Sequence, residues 1–351
     1  MTAERLSQLQ DAHAFNPAPR RDEMFQLHVP FDDMTGTASC ERALDLALRR
    51  GQRVAVVGVS GAGKSSVTAT VLGPLAEGLA PVPIPVTVEQ PEIATDPTAF
   101  AAHLVRVVAR LVEAAAPKQG GRAQRINNQL QTGERSRLHR ATVGTPTWML
   151  PRAELSYELK QAAAQPPINS IAVIDQARQL LELIAGEELQ PVLVLDDTDK
   201  WLNTAWQSGA QEVRAGFFGR VIRLMAEELA CAAAVAVHTD YLADPDYQAA
   251  QGFMDVTVHL PQVPDTAGVG HILARRAALA LGLDETGEAS ILDGLVDDSA
   301  IEVLYTHYTA GPSNLRRGVL DLAQTALARA CDDDAYSITA AHVVIAITER
   351  S

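Results

Sequence analysis

Short apolar runs and amphipathic stretches alternate over residues 29–263. RVAVVGV, PVLVLDD and CAAAVAVHTD each contain a continuous apolar run, which is typical of a strand covered on both faces. Two more strands are predicted near 82–90 and 256–260, and amphipathic segments such as 98–116 predict helices between strands. This alternation predicts an α/β fold, namely a three-layer domain around a mainly parallel five-stranded sheet.

The pattern changes near residue 264, beyond which the apolar positions recur with helical spacing. We therefore expect a small all-helical lid domain over 264–351, with helices that include 288–298 and 314–330. Residues 1–28 are polar, lack clear periodicity and are interrupted by prolines, so they are predicted to form an N-terminal arm.

Charge is distributed unevenly along the chain. The formal net charge of −14 disfavours binding to nucleic acid or to anionic lipid. Residues 118–152 are the exception, because seven Lys or Arg and one acid give them a net charge of +6, and their low periodicity predicts a basic irregular insertion. The N-terminus does not resemble a signal peptide, no apolar run approaches about 18 residues, and the three cysteines are far apart in sequence. These features predict a cytoplasmic protein without a membrane partner.

A glycine-rich loop stands between the first predicted strand and the next helix. The sequence GVSGAGKS fits G-x-x-x-x-G-K-[ST], in which backbone N–H groups at a helix N-terminus surround a phosphate. We expect Lys64 to bridge the β- and γ-phosphates and the Ser65 hydroxyl to bind Mg²⁺. No N-K-x-D-like segment, which would read guanine, occurs, so the expected ligands are ATP and Mg²⁺. The predicted nucleotide-binding residues are Gly58, Ser60, Gly61, Ala62, Gly63, Lys64, Ser65 and Ser66.

Two carboxylates follow the predicted strand VLVL. Asp196 and Asp197 stand at the end of a strand where ligands of open α/β sheets bind. We expect Asp196 to hold Mg²⁺ together with Ser65, and Asp197 to orient or deprotonate the attacking water. Capping of the following helix is the alternative role for these acids. Aspartate is one methylene shorter than glutamate, so hydrolysis is expected to be slow. Glu89 is a rival for positioning the water, although a solvated glutamate at a strand end is the favoured account of it.

Three further residues could sense the γ-phosphate. His238 and Thr239 end the predicted strand after the acid strand, where a strand-end cap would explain them equally well. Arg316 stands at a predicted helix start, where Ser313 or Asn314 is the expected cap, and could fold back onto the γ-phosphate. The alternative is a solvated arginine. The predicted catalytic residues are Asp197, Lys64, Arg316 and Thr239.

The order of these parts resembles that of the AAA+ ATPases. Phosphate loop, acid strand and polar strand end are followed by a helical domain that contains ILARR and G-x-x-N-L-R-R. Within this family the chain is similar to the origin-recognition initiators and the STAND-type switch ATPases over about 25–348. The resemblance implies an ATP hydrolase in which Arg316 is the lid sensor arginine.

The sequence departs from this family in two respects. The initiators continue into a DNA-binding winged helix, whereas this sequence ends at Ser351, so DNA binding by that route is not expected. The family also places an arginine finger after the polar strand, but residues 239–262 contain no Lys or Arg. Arg214, Arg220 and Arg223 are the candidate substitutes.

Two functions of different class are compatible with these residues. The preferred one is an ATP-driven switch, whose nucleotide state changes a surface read by a protein partner or by a second copy of the chain. The alternative is a DNA-dependent ATPase regulator of the transposition or mobile-element type. A small-molecule kinase is a weaker third hypothesis. The DNA alternative would use the arginines of the basic segment, namely Arg122, Arg125, Arg135, Arg137 and Arg140.

Overall fold

The structure is a computed structural model, and its description is limited to part of the chain. The described residues are 2–17, 23–35, 39–73, 76–86, 90–115, 117–133, 140–143, 155–157, 170–202, 210–283, 290–311 and 316–350. The strands in these ranges are β1 Arg53–Val57, β2 Leu79–Pro83, β3 Arg140–Val143, β4 Leu155–Tyr157, β5 Gln190–Leu195, β6 Ala232–Val237 and β7 Val256–His259.

The α-helices follow in chain order, with two π-helical segments, Phe217–Val221 and Met225–Leu229, on either side of α11. They are α1 Thr2–Asp11, α2 Phe31–Thr35, α3 Cys40–Arg49, α4 Lys64–Val71, α5 Pro91–Thr95, α6 Pro97–Ala115, α7 Pro117–Gly133, α8 Ser170–Ala185, α9 Thr198–Leu202, α10 Ala210–Gly216, α11 Ile222–Leu224, α12 Pro245–Ala250, α13 Thr266–Ala280, α14 Asp298–Ala310, α15 Arg316–Asp332 and α16 Ala340–Thr348. None of the helices in the described ranges combines the length and the apolar character that crossing a bilayer requires.

Five strands form one sheet in the order β2-β5-β6-β1-β7, and within the described ranges β3 and β4 form a separate pair. β5 runs parallel to both β2 and β6, and β1 runs parallel to β6. The strands β1, β5 and β6 therefore end at the same edge of the sheet. The predicted fold class is confirmed, because the sheet is mainly parallel and has five strands, and the chain beyond it is helical. β2 lies earlier than the predicted strand at 82–90, and residues 87–89 lie outside the described ranges.

The chain divides into two compact units. The helical unit contains Met1–Arg42, Gly58–Thr70 and His259–Ser351, and the sheet unit contains Ala43–Val57 and Val71–Val258. This division differs from the predicted boundaries at 28 and 264, because the N-terminal residues and the phosphate loop group with the C-terminal helices.

The N-terminal residues of the helical unit are more regular than predicted. Ten of them form α1, whose Leu6 and Leu9 are buried, and α1 packs against α15 and α13. The Phe15 N–H donates to Gln324 Oε1 at 2.9 Å, and Arg276 Nη1 donates to the Asn16 carbonyl at 2.6 Å. The predicted helix at 288–298 is wrong for 291–295, which form turns in which Gly294 has a φ of +69°.

The sheet unit corrects the prediction of an irregular basic insertion. Residues 117–133 form α7, which packs against α6 through its buried Ala123, Ile126 and Leu130. The side chains of these three residues recur at helical spacing on one face, which the surrounding polar and glycine residues obscured in the sequence. Residues 140–143 belong to the β3–β4 pair, and Arg135 and Arg137 lie outside the described ranges.

Candidate functional site

The glycine-rich loop between β1 and α4 has a backbone that requires glycine at two positions. Gly61 has a φ of +75° and Gly63 a φ of +102°, values that residues with a Cβ rarely adopt. A Cβ built on Gly58 would stand 3.1 Å from the Ala62 Cβ, closer than ordinary van der Waals contact. The loop thus has the close backbone curl that the phosphate-binding motif predicts.

Lys64, the first residue of α4, folds back over this loop. Its ammonium group donates to the Gly58 carbonyl at 2.8 Å and to the Val59 carbonyl at 3.0 Å, and only 6% of the residue is exposed. The first N–H groups of a helix have no partner within the helix, and the helix dipole places partial positive charge there. The N-terminus of α4 and the Lys64 ammonium therefore favour an anion at the same place.

Arg316, the first residue of α15, lies beside the same loop. Its Nη1 atom is 3.4 Å from the position that a Cβ on Gly63 would occupy, and its guanidinium carbon is 4.2 Å from the centroid of the Phe31 ring. Nη2 donates to the Pro261 carbonyl at 3.3 Å. Burial lowers the pKa of the guanidinium to about 10, so the group stays charged at neutral pH. Arg316 is half-buried, unlike the exposed Arg317, so the solvated alternative does not describe it.

A histidine that the sequence analysis missed joins the loop helix to α3. We call residues 23–35 the strap. His28 of the strap is 7% exposed, with Nδ1 2.9 Å from Ser66 Oγ and Nε2 2.6 Å from Glu41 Oε1. No motif marked these residues, because their partners are 13 and 38 positions away in the sequence. A contact of that kind becomes visible only when the strap and the loop are folded together.

Glu41 is held ionised by its hydrogen bonds. Burial alone would raise the pKa of this carboxyl, but hydrogen bonds from His28, from Ser39 and from the backbone lower it to about 2. The donors include the Ser39 hydroxyl, 2.8 Å from Oε2, and the Phe31 N–H, 3.1 Å from Oε1. The same carboxylate therefore holds the strap backbone at Phe31 and the strap imidazole at His28.

In the sheet unit, the two predicted acids follow β5. Asp197 has a φ of +55°, and its N–H donates to Asp196 Oδ1 at 2.9 Å. The Asp197 carboxylate forms an ion pair with Lys200, whose Nζ lies 2.8 Å from Oδ2. The Thr198 hydroxyl, fully buried, donates to the Ala236 carbonyl of β6, so the backbone after the acids is fixed to the neighbouring strand.

The other predicted residues of the sheet unit have local partners. The His238 side chain accepts from the Asp240 N–H at 3.2 Å and caps the 3₁₀ helix that Thr239 begins, which matches the strand-end alternative for His238. Arg214 forms an ion pair with Asp244 at 2.8 Å. Among the other candidate finger residues, Arg223 pairs with Glu227 and Arg220 is exposed. Glu89, Ser313 and Asn314 lie outside the described residues.

The helical unit alone contains the loop, Lys64, Ser65, Ser66 and Arg316, whereas Asp196, Asp197 and Thr239 belong to the sheet unit. The described part of the chain has no group of three His, Cys, Asp or Glu side chains that could hold a metal ion by themselves. Mg²⁺ in phosphate sites usually takes one or two protein oxygens together with waters and phosphate oxygens, so a site of this kind does not need such a group.

No protein-family model matches the chain, and no curated protein does. Several solved structures are similar to it, and the following three are among them. The ORC2 protein of Aeropyrum pernix in its ADPNP-ADP complexes has 15% identity and a TM-score of 0.49, over 88% of this chain and 66% of that chain. Cdc6p from Pyrobaculum aerophilum has 15% identity and a TM-score of 0.46, over 96% and 70%. Drosophila ORC bound to DNA has 13% identity and a TM-score of 0.49, over 98% and 66%.

The chain thus spans about two thirds of the length of the structures that it matches, 66 to 70% in these three. At such identities and TM-scores these similarities say nothing of the activity of this chain. What the protein does is therefore inferred from its own residues.

Proposed function

We propose that this protein is a magnesium-dependent, AAA+-like ATPase that binds ATP at the phosphate loop of residues 58–66. The observation that carries the proposal is the convergence of two cations, Lys64 and Arg316, on a loop in which Gly61 and Gly63 adopt left-handed conformations. Lys64 is buried and Arg316 is half-buried, so both interact more strongly with phosphate than fully exposed charges would. A triphosphate matches this concentration of positive charge and N–H donors.

The oxygen ligands in the chain fit Mg²⁺. A serine hydroxyl and a carboxylate are hard ligands of the kind that Mg²⁺ prefers, and we assign these roles to Ser65 and Asp196. When bound, Mg²⁺ would neutralise charge that develops on the phosphate oxygens. In this proposal Lys64 leaves the loop carbonyls and binds phosphate, Arg316 senses the γ-phosphate, and Asp197 orients the attacking water, with Thr239 as a further candidate sensor.

We further propose that turnover is slow and that the output is a change of state. The ion pair between Asp197 and Lys200 supports this, because a carboxylate already shared with an ammonium group is a weaker base for water. A nucleotide that persists in the site can shift the population towards one conformation, whose surface is recognised by a protein partner or by a second copy of the chain. A cytoplasmic location is part of the same proposal.

Substitution of Lys64 tests the nucleotide site. We expect Lys64→Ala to abolish MgATP binding in a calorimetric titration, because the variant loses the ammonium group at the centre of the loop. Lys118→Ala removes an exposed lysine of α7 and serves as the control, with binding equal to that of the unmodified protein. Equal binding by Lys64→Ala would refute the site.

Substitution of Asp197 separates binding from hydrolysis. Asp197→Asn keeps the shape of the side chain but removes the base, so MgATP should bind while phosphate release falls by about 10²-fold or more. A variant that hydrolyses ATP as fast as the unmodified protein would exclude Asp197 from the reaction.

A DNA-dependent ATPase regulator remains the second candidate function. It is favoured by α7, which exposes Arg122 and Arg125 in the basic segment. If they contact DNA phosphates, the logarithm of the DNA-binding constant should fall less steeply with the logarithm of the salt concentration when either is replaced with Ala. The slope should become shallower by about 0.9 for each replaced arginine on duplex DNA. Absence of binding at low salt would discard this function and leave the switch.

A further inference from the structure

The hydrogen-bonded set formed by Ser66, His28 and Glu41, which we call the strap relay, reaches the phosphate loop from outside the motif. Ser66 is the residue after the proposed Mg²⁺ ligand, and it lies in the first turn of α4. His28 joins it to a glutamate at the beginning of α3. All members belong to the helical unit, as the loop does.

The charge of Glu41 sets the direction of its hydrogen bond with His28. An ionised carboxylate can only accept, so His28 Nε2 carries the hydrogen in the 2.6 Å contact. In the neutral imidazole, Nδ1 then accepts from the Ser66 hydroxyl at 2.9 Å. The relay thus fixes the rotamer of Ser66 as well as the ring of His28.

Holding Ser66 constrains the rotation of α4 about its axis. Successive residues of an α-helix point about 100° apart, so fixing one side chain of the first turn fixes the direction of its neighbours. Ser65 and the backbone N–H groups of that turn are the neighbours concerned. Catalytic and metal-binding groups work only when a supporting shell holds them close to the productive geometry.

We propose that His28 and Glu41 are positioning residues of the ATP site, which orient the first turn of α4 through Ser66 so that the Ser65 hydroxyl faces Mg²⁺. This inference rests on the proposed function. It gives the strap a defined role in nucleotide binding, and it predicts that loss of the relay weakens nucleotide binding mainly when the metal is present.

Three substitutions take the relay apart. Ser66→Ala removes the hydroxyl and leaves the pair of His28 and Glu41 intact. His28→Gln places an amide where Nε2 stands, so it keeps the hydrogen bond to Glu41 and removes the one to Ser66. His28→Asn places an amide near Nδ1, so it keeps the hydrogen bond to Ser66. Gln324→Ala is the matched control, because it removes the polar contacts of Gln324 with Phe15 and Gln10 in the same unit, away from the loop.

Dissociation constants for ATP are measured by titration of the full-length chain, with Mg²⁺ and with excess EDTA, beside the thermal midpoint of each variant. We expect Ser66→Ala and His28→Gln to raise the MgATP constant by about 3- to 10-fold, the effect of one hydrogen bond, and the metal-free constant by less. His28→Asn should lie nearer to the unmodified protein, and Gln324→Ala should shift the thermal midpoint without a metal-dependent change.

The outcomes separate this inference from the proposed function. If the unmodified protein binds no ATP under either condition, the proposed function fails. The inference is overturned if the unmodified protein binds MgATP and the variants Ser66→Ala and His28→Gln bind it as tightly. It is also overturned if both variants lose the same factor in ATP affinity with and without the metal, because the relay would then have only a structural role. Ser66→Ala decides alone if the His28 variants do not fold.

Discussion

At the scale of single residues, Gly63 is constrained by its backbone conformation. Its φ of +102° strains any residue with a Cβ, whereas such a Cβ would stand 3.4 Å from Arg316 Nη1, which is ordinary van der Waals contact. The glycine is therefore needed for the turn of the backbone, and Arg316 lies against that turn. The motif in the sequence signalled the turn but not the approach of Arg316.

Gly63→Ala should consequently affect both stability and nucleotide binding. We expect a loss of about 1–3 kcal/mol in the free energy of unfolding from backbone strain, measured by urea denaturation, together with weaker MgATP binding. Gly219→Ala is the control, because a Cβ at Gly219 meets nothing within 4 Å and its φ is not positive, and it should not lower stability, since alanine is favoured over glycine in a helix by up to about 1 kcal/mol. Unchanged stability and binding in Gly63→Ala would contradict the described loop.

Glu41 makes the stability of the protein depend on pH in the acid range. Its pKa falls from 4.5 to about 2 on folding, so its ionised form contributes stability above pH 4.5. This contribution, on the order of 3 kcal/mol, is lost as the pH falls from 4.5 towards 2. Glu41→Gln should therefore be less stable than the unmodified protein at pH 7, with a difference that shrinks below pH 4.5.

Urea denaturation between pH 7 and pH 3 measures this difference. Glu212→Gln, which alters an exposed carboxylate, provides the comparison and should follow the unmodified protein across the range. A difference between Glu41→Gln and the unmodified protein that is constant with pH would mean that Glu41 is not held ionised in the folded state.

The sequence was enough to identify the loop residues one by one, whereas His28 and Glu41 of the strap relay could be identified only in the folded structure. Gly63, Lys64 and Ser65 stand at fixed spacing because one continuous segment surrounds the phosphate. His28 and Glu41 act through contacts between separate segments, for which a single sequence contains no spacing rule. Asp197 was recognised from its strand, but its ion pair with Lys200 depends on the helical turn that follows.

At the scale of elements, α7 owes its place to packing more than to helix propensity. Gly120 and Gly121 stand near its start, and glycine costs about 1 kcal/mol in a helix interior relative to alanine. Burial of Ala123, Ile126 and Leu130 against α6 offsets this cost. The type of an element could be predicted where apolar residues dominate it, as in β1, β5 and β6. It was missed for α7, where few apolar residues define the buried face of the helix.

Ile126→Ala should therefore destabilise the sheet unit. The side chain is 5% exposed, and its truncation is expected to cost about 2–5 kcal/mol in the free energy of unfolding. Gln124→Ala changes an exposed position of the same helix and should cost less than about 0.5 kcal/mol. Circular dichroism during chemical denaturation checks both, and equal stability of the two variants would place Ile126 outside the core.

At the scale of the whole molecule, the helical unit is assembled from three separate stretches of chain. The Phe15 N–H donates to Gln324 Oε1 across 309 positions, and Arg275 Nε donates to the Gln26 carbonyl across 249. A boundary drawn in sequence near 264 therefore cuts through this unit. Periodicity could not reveal this, because it reports the type of each element and not its long-range partner.

Residues 264–351 produced alone should accordingly be less stable than within the full chain. They lack α1 and the strap, so apolar surface of α15 and α13 that α1 covers is exposed. We expect a lower thermal midpoint by circular dichroism, raised when a peptide of residues 1–35 is added. A peptide of the same composition in scrambled order is the control, and a midpoint that does not respond to the native peptide would contradict this assembly.

The 309 positions that separate Phe15 from Gln324 in the sequence also have a consequence for biosynthesis. A ribosome adds residues from the N-terminus at about 5–20 per second, so the first helix emerges many seconds before its partner helix exists. During that interval Leu6, Leu9 and Phe15 have no native surface to cover them. Nascent chains should therefore present this segment to chaperones until α15 has been synthesised, and Arg316 can join the nucleotide loop only then.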